Sequence, residues 1–194
     1  MRILFVMDPA ETMTADKDTT FAFIRGAMAR GHECLHCLPR ELSNEGRDVF
    51  ARARSVKVSA QKPHVTLGAD ERVELAQLDA VFIRQNYHDL YDKFMGPADV
   101  PAFNRKVFAA LKPGGVYVVL DHVAPPGSGL AAPERLHRID PELVKQEVTA
   151  AGFVFDGESK VLANAGDDHT KMVLETGILG QTDQFLLRFK KPKK

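Results

Sequence analysis

Apolar positions along this chain fall into short dense runs separated by stretches with a helical repeat. RILFVM (2–7) is uninterrupted and reads as a buried strand. After it, Phe21, Ile24, Ala27 and Met28 recur on one helical face, with Asp18 or Thr19 placed to cap the helix and Gly31 to end it near Arg30. ECLHCL (33–38) is a second strand. Residues 49–67 alternate and are partly β-branched, which predicts an extended excursion or hairpin rather than a core strand, and 70–77 predict a helical turn or two. DAVFIR (79–84) is a third core strand. PAFNRKVFAALKPGG (101–115) is a helix stopped by Pro113 and the glycine pair, and VYVVLDH (116–122) is the fourth core strand. APPGSGLAAP is a loop, and PELVKQEVTAAGF (141–153) is a helix with proline at its start and Gly152 at its end. Residues 153–163 and 183–190 read as two closing strands.

Strands alternating with helices predict an α/β fold, a single Rossmann-like three-layer sandwich over residues 1–194 with a mostly parallel sheet. The last two strands have no long helix between them, so one of them should run antiparallel. No internal repeat or linker divides the chain.

Composition changes little in this picture. The chain has 194 residues, 44% hydrophobic and 27% charged, enough for one domain with a proper core. Its formal net charge is zero, so no long-range field favours nucleic acid or an anionic membrane. No apolar run is long enough to span a bilayer, and ILFVM is broken too early by Asp8 and Pro9 for a signal peptide, so a cytoplasmic protein is expected. One asymmetry stands out: residues 1–85 hold 9 Arg and 3 Lys, whereas 86–194 hold 4 Arg and 10 Lys. Both parts are charge-balanced, so this marks usage rather than a patch.

Candidate chemistry concentrates at the carboxyl ends of the core strands, where open α/β sheets bind ligands. Those ends carry Asp8, then Asn86, His88 and Asp89, then Asp121 and His122. The cluster has the composition of a binding site and equally that of a solvated rim. As a metal site its spacing is not distinctive, and none is expected. Cys34 and Cys37 form a C-x-x-C, but on a strand they point to opposite faces, which argues against metal or redox chemistry. The loop after the first strand, DPAETMTADKDTT, has no glycine, and the first glycine of the chain is Gly26. A nucleotide fingerprint needs glycines there so that backbone can approach the ligand.

Two resemblances meet inside LDAVFIRQNYHDLY (78–91). MDP (7–9), KDTTFAF (17–23), ARARSVKV (51–58) and LDAVFIR (78–84) resemble the N-terminal domain of bacterial glutathione synthetase. In that family the segment begins a Rossmann-like domain that precedes an ATP-grasp unit, and the resemblance stops at Arg84. From there NYHDLY (86–91), VFAALKPGGVYVVLDH (107–122), HRIDPELVKQEVTAAGF (137–153), DDHT (167–170) and TDQFLLRFKKP (182–192) resemble the C-terminal half of a class I S-adenosylmethionine-dependent methyltransferase. ALKPGG before a strand is the strongest of these signatures. Together they imply a chimera, constructed or selected, with a natural fusion as the alternative, joined inside the third strand, with sheet order 2-1-3-4-6-5 and the sixth strand antiparallel.

The resemblances also imply what each parent loses. The methyltransferase cofactor loop belongs to a missing N-terminal half, and the ATP-grasp machinery should follow residue 84 and does not. Asp18 and Thr19 match the synthetase motif without their substrate partners; Asn86, His88 and Asp89 match the methyltransferase motif but face a foreign loop. Half a constellation supplies little proximity catalysis. No intact catalytic site and no cofactor are therefore expected, with Asp8, Asp18, Thr19, Asn86, His88, Asp89, Asp121 and His122 as vestigial binding candidates. A small-molecule ligand, nucleic acid and membrane are not expected partners, and the oligomeric state stays open. The alternatives are an S-adenosylmethionine-binding or methyltransferase-like protein and a weak glutathione-type peptide binder. In the third strand Val81 and Ile83 should face one side and Phe82 the other, all three buried, each face meeting helices from both parents. Asp89→Ala or His122→Ala, at the rim, should leave folding nearly unchanged.

Overall fold

The computed structural model describes residues 1–15, 18–45, 48–93 and 98–193, with the side chains of Asn44, Asp48 and Gln77 left aside. Its strands are β1 (Arg2–Val6), β2 (Glu33–Cys37), β3 (Leu42–Glu45), β4 (Asp48–Val58), β5 (Val65–Glu74), β6 (Ala80–Arg84), β7 (Val116–His122), β8 (Val154–Ser159) and β9 (Gln184–Lys190). Its helices are α1 (Thr19–Ala29), α2 (Val100–Ala110), α3 (Ala132–Leu136) and α4 (Pro141–Ala150). All nine strands join one sheet in the order β3-β4-β2-β1-β6-β7-β9-β8, with β5 paired to β4. The β2, β1, β6 and β7 pairs are parallel, and β9 runs antiparallel to both β7 and β8. The six strands expected from sequence thus lie in the expected order, with the sixth reversed.

Caps decide where the helices begin and end. Asp18 is the N-cap of α1, accepting hydrogen bonds from the Thr20 and Phe21 N–H groups at 2.8 and 3.3 Å. Gly31, at φ 73°, ends that helix; its N–H donates to Met28 O and the next N–H to Ala27 O. Asp99 and Asp140 cap α2 and α4 with Pro in the first turn of each. The KPGG turn then aims the chain into β7, with Gly114 at φ 79° where a side chain would strain the backbone.

The excursion at 49–67 departs from expectation. β4 buries Val49, Ala51, Ala53, Val56 and Val58 and pairs antiparallel with β2 through Leu35–Ser55 and His36–Arg54, so it extends the sheet rather than leaving it. Residues 70–74 are strand, not a helical turn, because β5 pairs with β4 over most of its length; only Leu75–Gln77 form a 3-10 turn. Ladder hydrogen bonds from a neighbour override weak local helix preference there. β5 is otherwise exposed and charged, Arg54 and Asp70 lying 3.8 Å apart across the pair, which blunts the edge against further pairing. The loop expected at 124–133 tightens into a 3-10 turn at Gly129–Ala131 and leads into α3.

Each face of the sheet has its own core. Leu4, Leu35, Cys37, Val81, Ile83, Tyr117 and Leu187 pack with Val107 of α2 and Val144 and Val148 of α4. Phe5, Cys34, Val56, Phe82 and Leu120 pack with Phe21 and Ile24 of α1. Val81, Phe82 and Ile83 are buried as expected. The expectation that each face meets helices from both parts of the chain is corrected: α1 covers the Phe82 face, and α2 and α4 cover the Ile83 face. The reason is connectivity, since the crossover from β1 lies on one side of the sheet and the crossovers beyond β6 lie on the other. Cys34 and Cys37 enter opposite cores as free thiols, and burial raises both above the usual thiol range. Among the described residues no helix is long and apolar enough to cross a membrane.

Candidate functional site

The parallel strands β1, β6 and β7 end along one edge, and the chain turns sharply as it leaves β6. Gln85 takes a left-handed φ of 51°, and His88–Tyr91 then form a 3-10 turn. That turn folds back over the end of β7. The Asp121 carboxylate, fully buried, accepts from the His88 backbone N–H at 3.0 Å, from His88 Nδ1 at 2.8 Å and from the His122 N–H at 2.7 Å. On the other side of the ring, His88 Nε2 lies 3.1 Å from Asp89 Oδ1, and Asn86 Nδ2 donates to Asp89 Oδ2 at 2.8 Å. Burial alone would lower the His88 pKa; the charge and hydrogen bonds of Asp121, with those of Asp89, outweigh it and raise it to about 10.

His122 behaves oppositely under the same roof. Its Nδ1 lies 2.8 Å from Thr182 Oγ1, and burial, opposed by Asp121 and reinforced by His88, Arg138 and Arg84, lowers its pKa to about 4. The reading of this edge as a solvated rim is therefore overturned. His88 and His122 are 4% and 6% exposed, so removing the His122 imidazole takes away a buried hydrogen bond and leaves a void, and it is not neutral for folding.

The residues from the first part of the chain stand apart from this cluster. Asp8 is exposed, and its carbonyl accepts from His36 Nε2 at 3.0 Å. Asp18 is occupied as a helix cap, and Thr19 is the first residue of α1. Asp16 of the glycine-free loop after β1 and Lys17 of the KDTTFAF motif lie outside the described residues. What connects the two groups is Arg84, at the end of β6, with Nη1 3.9 Å from Asp18 Oδ2. Burial lowers its pKa, opposed by the charges of Asp18, Asp8 and Asp121. Arg84 Nε and Asn86 Oδ1 are buried with no hydrogen-bond partner among the described residues. Beside the same strand an apolar cleft of about 340 Å³ is lined by Leu42, Val49, Leu75 and Ile83 on one side and Leu90, Phe103 and Val107 on the other.

Sequence reasoning missed a second polar system behind the edge. Arg138 is fully buried, and its guanidinium grips Asp167 at 2.7 and 3.1 Å while donating to Lys171 O and Val123 O. Asp167 also accepts from the His169 and Asp183 N–H groups, and His169 Nε2 lies 2.9 Å from Asp183 Oδ2. HRID, DDHT and TD are thus parts of one network that fastens the long loop before β9. In NYHDLY, Tyr87 donates to Glu147 Oε2 at 2.9 Å and accepts from Asn104 Nδ2 at 2.7 Å, and Tyr91 also bonds Glu147. The signal was available only as charged and aromatic residues inside otherwise apolar surroundings.

Residues 1–87 match the family model described as prokaryotic glutathione synthetase, N-terminal domain, three residues past Arg84. The glutathione synthetase of Rhodopseudomonas palustris is 38% identical over 87 residues, 44% of this chain and 28% of that protein. That of Mesorhizobium japonicum is 36% identical over 87 residues, again 44% and 28%. The chain therefore spans under a third of the length of the curated relatives it matches. Among solved structures, an S-adenosylmethionine-dependent methyltransferase from Methanosarcina mazei is similar over 100% of this chain and 93% of its own, at 11% identity and a TM-score of 0.47. The antibiotic-resistance methyltransferase Kmr is similar over 98% and 86%, at 15% identity and a TM-score of 0.41.

Proposed function

We propose that this chain is a chimera: a glutathione-synthetase-type N-terminal segment joined near the end of β6 to a methyltransferase-like C-terminal segment, in one Rossmann-like domain that retains no intact catalytic site. The observation that carries the reading is that the family match ends at residue 87, while the sheet it enters continues through β7, β9 and β8. The first methyltransferase-like motif, NYHDLY at 86–91, overlaps the last two residues of that match, and the others lie beyond it. A cleft lined by Leu42, Val49, Leu75 and Ile83 from before the join and by Leu90, Phe103 and Val107 from after it is a packing gap of the kind a seam leaves behind. Asp18 is used to cap α1 and His88 is held between Asp121 and Asp89, so neither parental motif is free to act as its family would use it.

A chain of this kind should unfold as one unit, since the edge of β6 that faces away from β1 is covered only by β7 of the second segment. Urea denaturation followed by tyrosine fluorescence and by circular dichroism should give coincident transitions; two separated transitions would count against a single domain.

The alternative, an S-adenosylmethionine-binding protein, is tested directly. The loop after β1 lacks glycine, and Asp8 and Glu11 put negative charge where that fold would seat the cofactor's carboxylate. Calorimetric titration with millimolar S-adenosylmethionine should register no binding. Micromolar affinity would overturn the proposed reading and favour the alternative.

A further inference from the structure

We propose that His88, Asp89 and His137, with Asp92 beside them, bind one divalent transition-metal cation, zinc by preference. One donor atom from each of His88, Asp89 and His137 lies within 4.8 Å of the others. The first two come from the turn after β6. His137 comes from the end of α3, 48 positions beyond Asp89 in sequence and packed against that turn. Its backbone is held in the left-handed region at φ 51°, and its ring meets that of His88 edge-on at 5.4 Å.

The support behind His88 is that of a metal ligand. A carboxylate can only accept, so the 2.8 Å contact between Asp121 Oδ1 and His88 Nδ1 puts a proton on Nδ1, and Nε2, 3.1 Å from Asp89 Oδ1, is the nitrogen a metal ion would take by displacing the proton it shares with Asp89. Metal-binding histidines are held in this way by a carboxylate on the far nitrogen. Here that carboxylate is fully buried and is itself fixed by two backbone N–H groups.

Asp92 supplies the independent observation. It is 2% exposed, its Oδ2 lies 3.7 Å from His137 Nδ1, and its Oδ1 has no hydrogen-bond partner among the described residues. A buried carboxylate oxygen without a donor is costly, and a dication beside His137 removes that cost. Two imidazoles with carboxylate oxygens are a donor set that suits zinc. Zinc–ligand distances of about 2.0–2.1 Å bring donors to roughly 3.4 Å from one another, so the cluster must close by about an ångström. Asp89 and His137 are only partly buried, which allows both that rotation and entry of the ion. The competing account is a plain ion-pair cluster, with His88 charged between Asp121 and Asp89 and no affinity for metal.

The test uses the untagged full chain, stripped with chelator and dialysed against zinc chloride or cobalt(II) chloride. One equivalent of zinc per chain at micromolar affinity is expected, with cobalt(II) giving visible ligand-field bands of a low-symmetry site. His137→Asn, which tolerates the left-handed backbone, and Asp89→Asn should each weaken zinc by more than about tenfold while leaving the far-ultraviolet circular dichroism unchanged. The Cys34→Ser/Cys37→Ser double variant should bind as the parent does. Absence of a bound equivalent, binding unchanged in both folded site variants, or binding lost with the cysteines would overturn the proposal.

Discussion

Replacing Phe82 with alanine should leave the protein largely unfolded. Phe82 sits at the middle of β6, between β1 and β7, and is 7% exposed. Its ring lies 5.3 Å from those of both Phe5 and Phe23, and the same core takes in Ile24 of α1 and Leu120 of β7. The substitution forfeits the transfer free energy of a buried aromatic and leaves a cavity bounded by strands on both sides and a helix above. Such changes cost about 3–5 kcal/mol. A domain of this size has roughly 5–15 kcal/mol in all, so a loss of that size takes most of the stability at the lower end of the range. Urea unfolding monitored by circular dichroism measures it; a loss below about 1 kcal/mol would mean that β6 is not the seam on which the two parts depend.

Arg138→Met should cost as much for a different reason. The guanidinium is fully buried, and its bidentate partner Asp167 has a side chain only 3% exposed. Removing one partner strands the other charge in a low-dielectric surrounding, which costs about 3–5 kcal/mol. Converting Asp167 to asparagine in the same chain removes the stranded charge, so the double variant should recover part of the loss, a pattern that a simple packing defect would not produce. The pair also sets a pH dependence. Burial would raise the Asp167 pKa, but the Arg138 hydrogen bonds, the N–H groups of Asp183 and His169 and the Arg138 charge hold it below the usual carboxylate range. Its contribution is then complete above the titration of an unfolded aspartate, about 3.9, and is lost as pH falls through the lower folded value. In Arg138→Met the hydrogen bonds and charge of Arg138 are lost while burial and the two N–H groups remain, so the depression shrinks and acid unfolding should begin at higher pH. Thermal melts between pH 3 and 7 read this out, and parallel melting curves of parent and variant across that range would refute it.

The architecture was legible because its signals are local. ILFVM (3–7), AVFI (80–83) and VYVVL (116–120) carry no charged residue, as suits strands covered on both faces, and Asp18, Gly31 and Gly152 mark helix ends by chemistry confined to a few residues. The order of the six core strands followed from the motif resemblances. β4 and β5 were misjudged for the complementary reason: Ala51, Ala53 and the run around Asp70 carry little intrinsic preference, and pairing with a neighbouring strand settles their conformation.

For the site, the sequence by itself determined which polar residues stand at the strand ends: Asn86, His88, Asp89, Asp121 and His122 were all named from position alone. Only the tertiary structure decided their state. Burial is a property of what covers a residue, and the 3-10 turn at His88–Tyr91 covers the end of β7, turning an apparent rim into an interior where carboxylate partners raise the pKa of His88 and burial lowers that of His122. The same holds for His137 and Asp92, and for Arg138 with Asp167: each pair meets across dozens of residues, and no spacing in the chain encodes a distance that exists only after the sheet has closed.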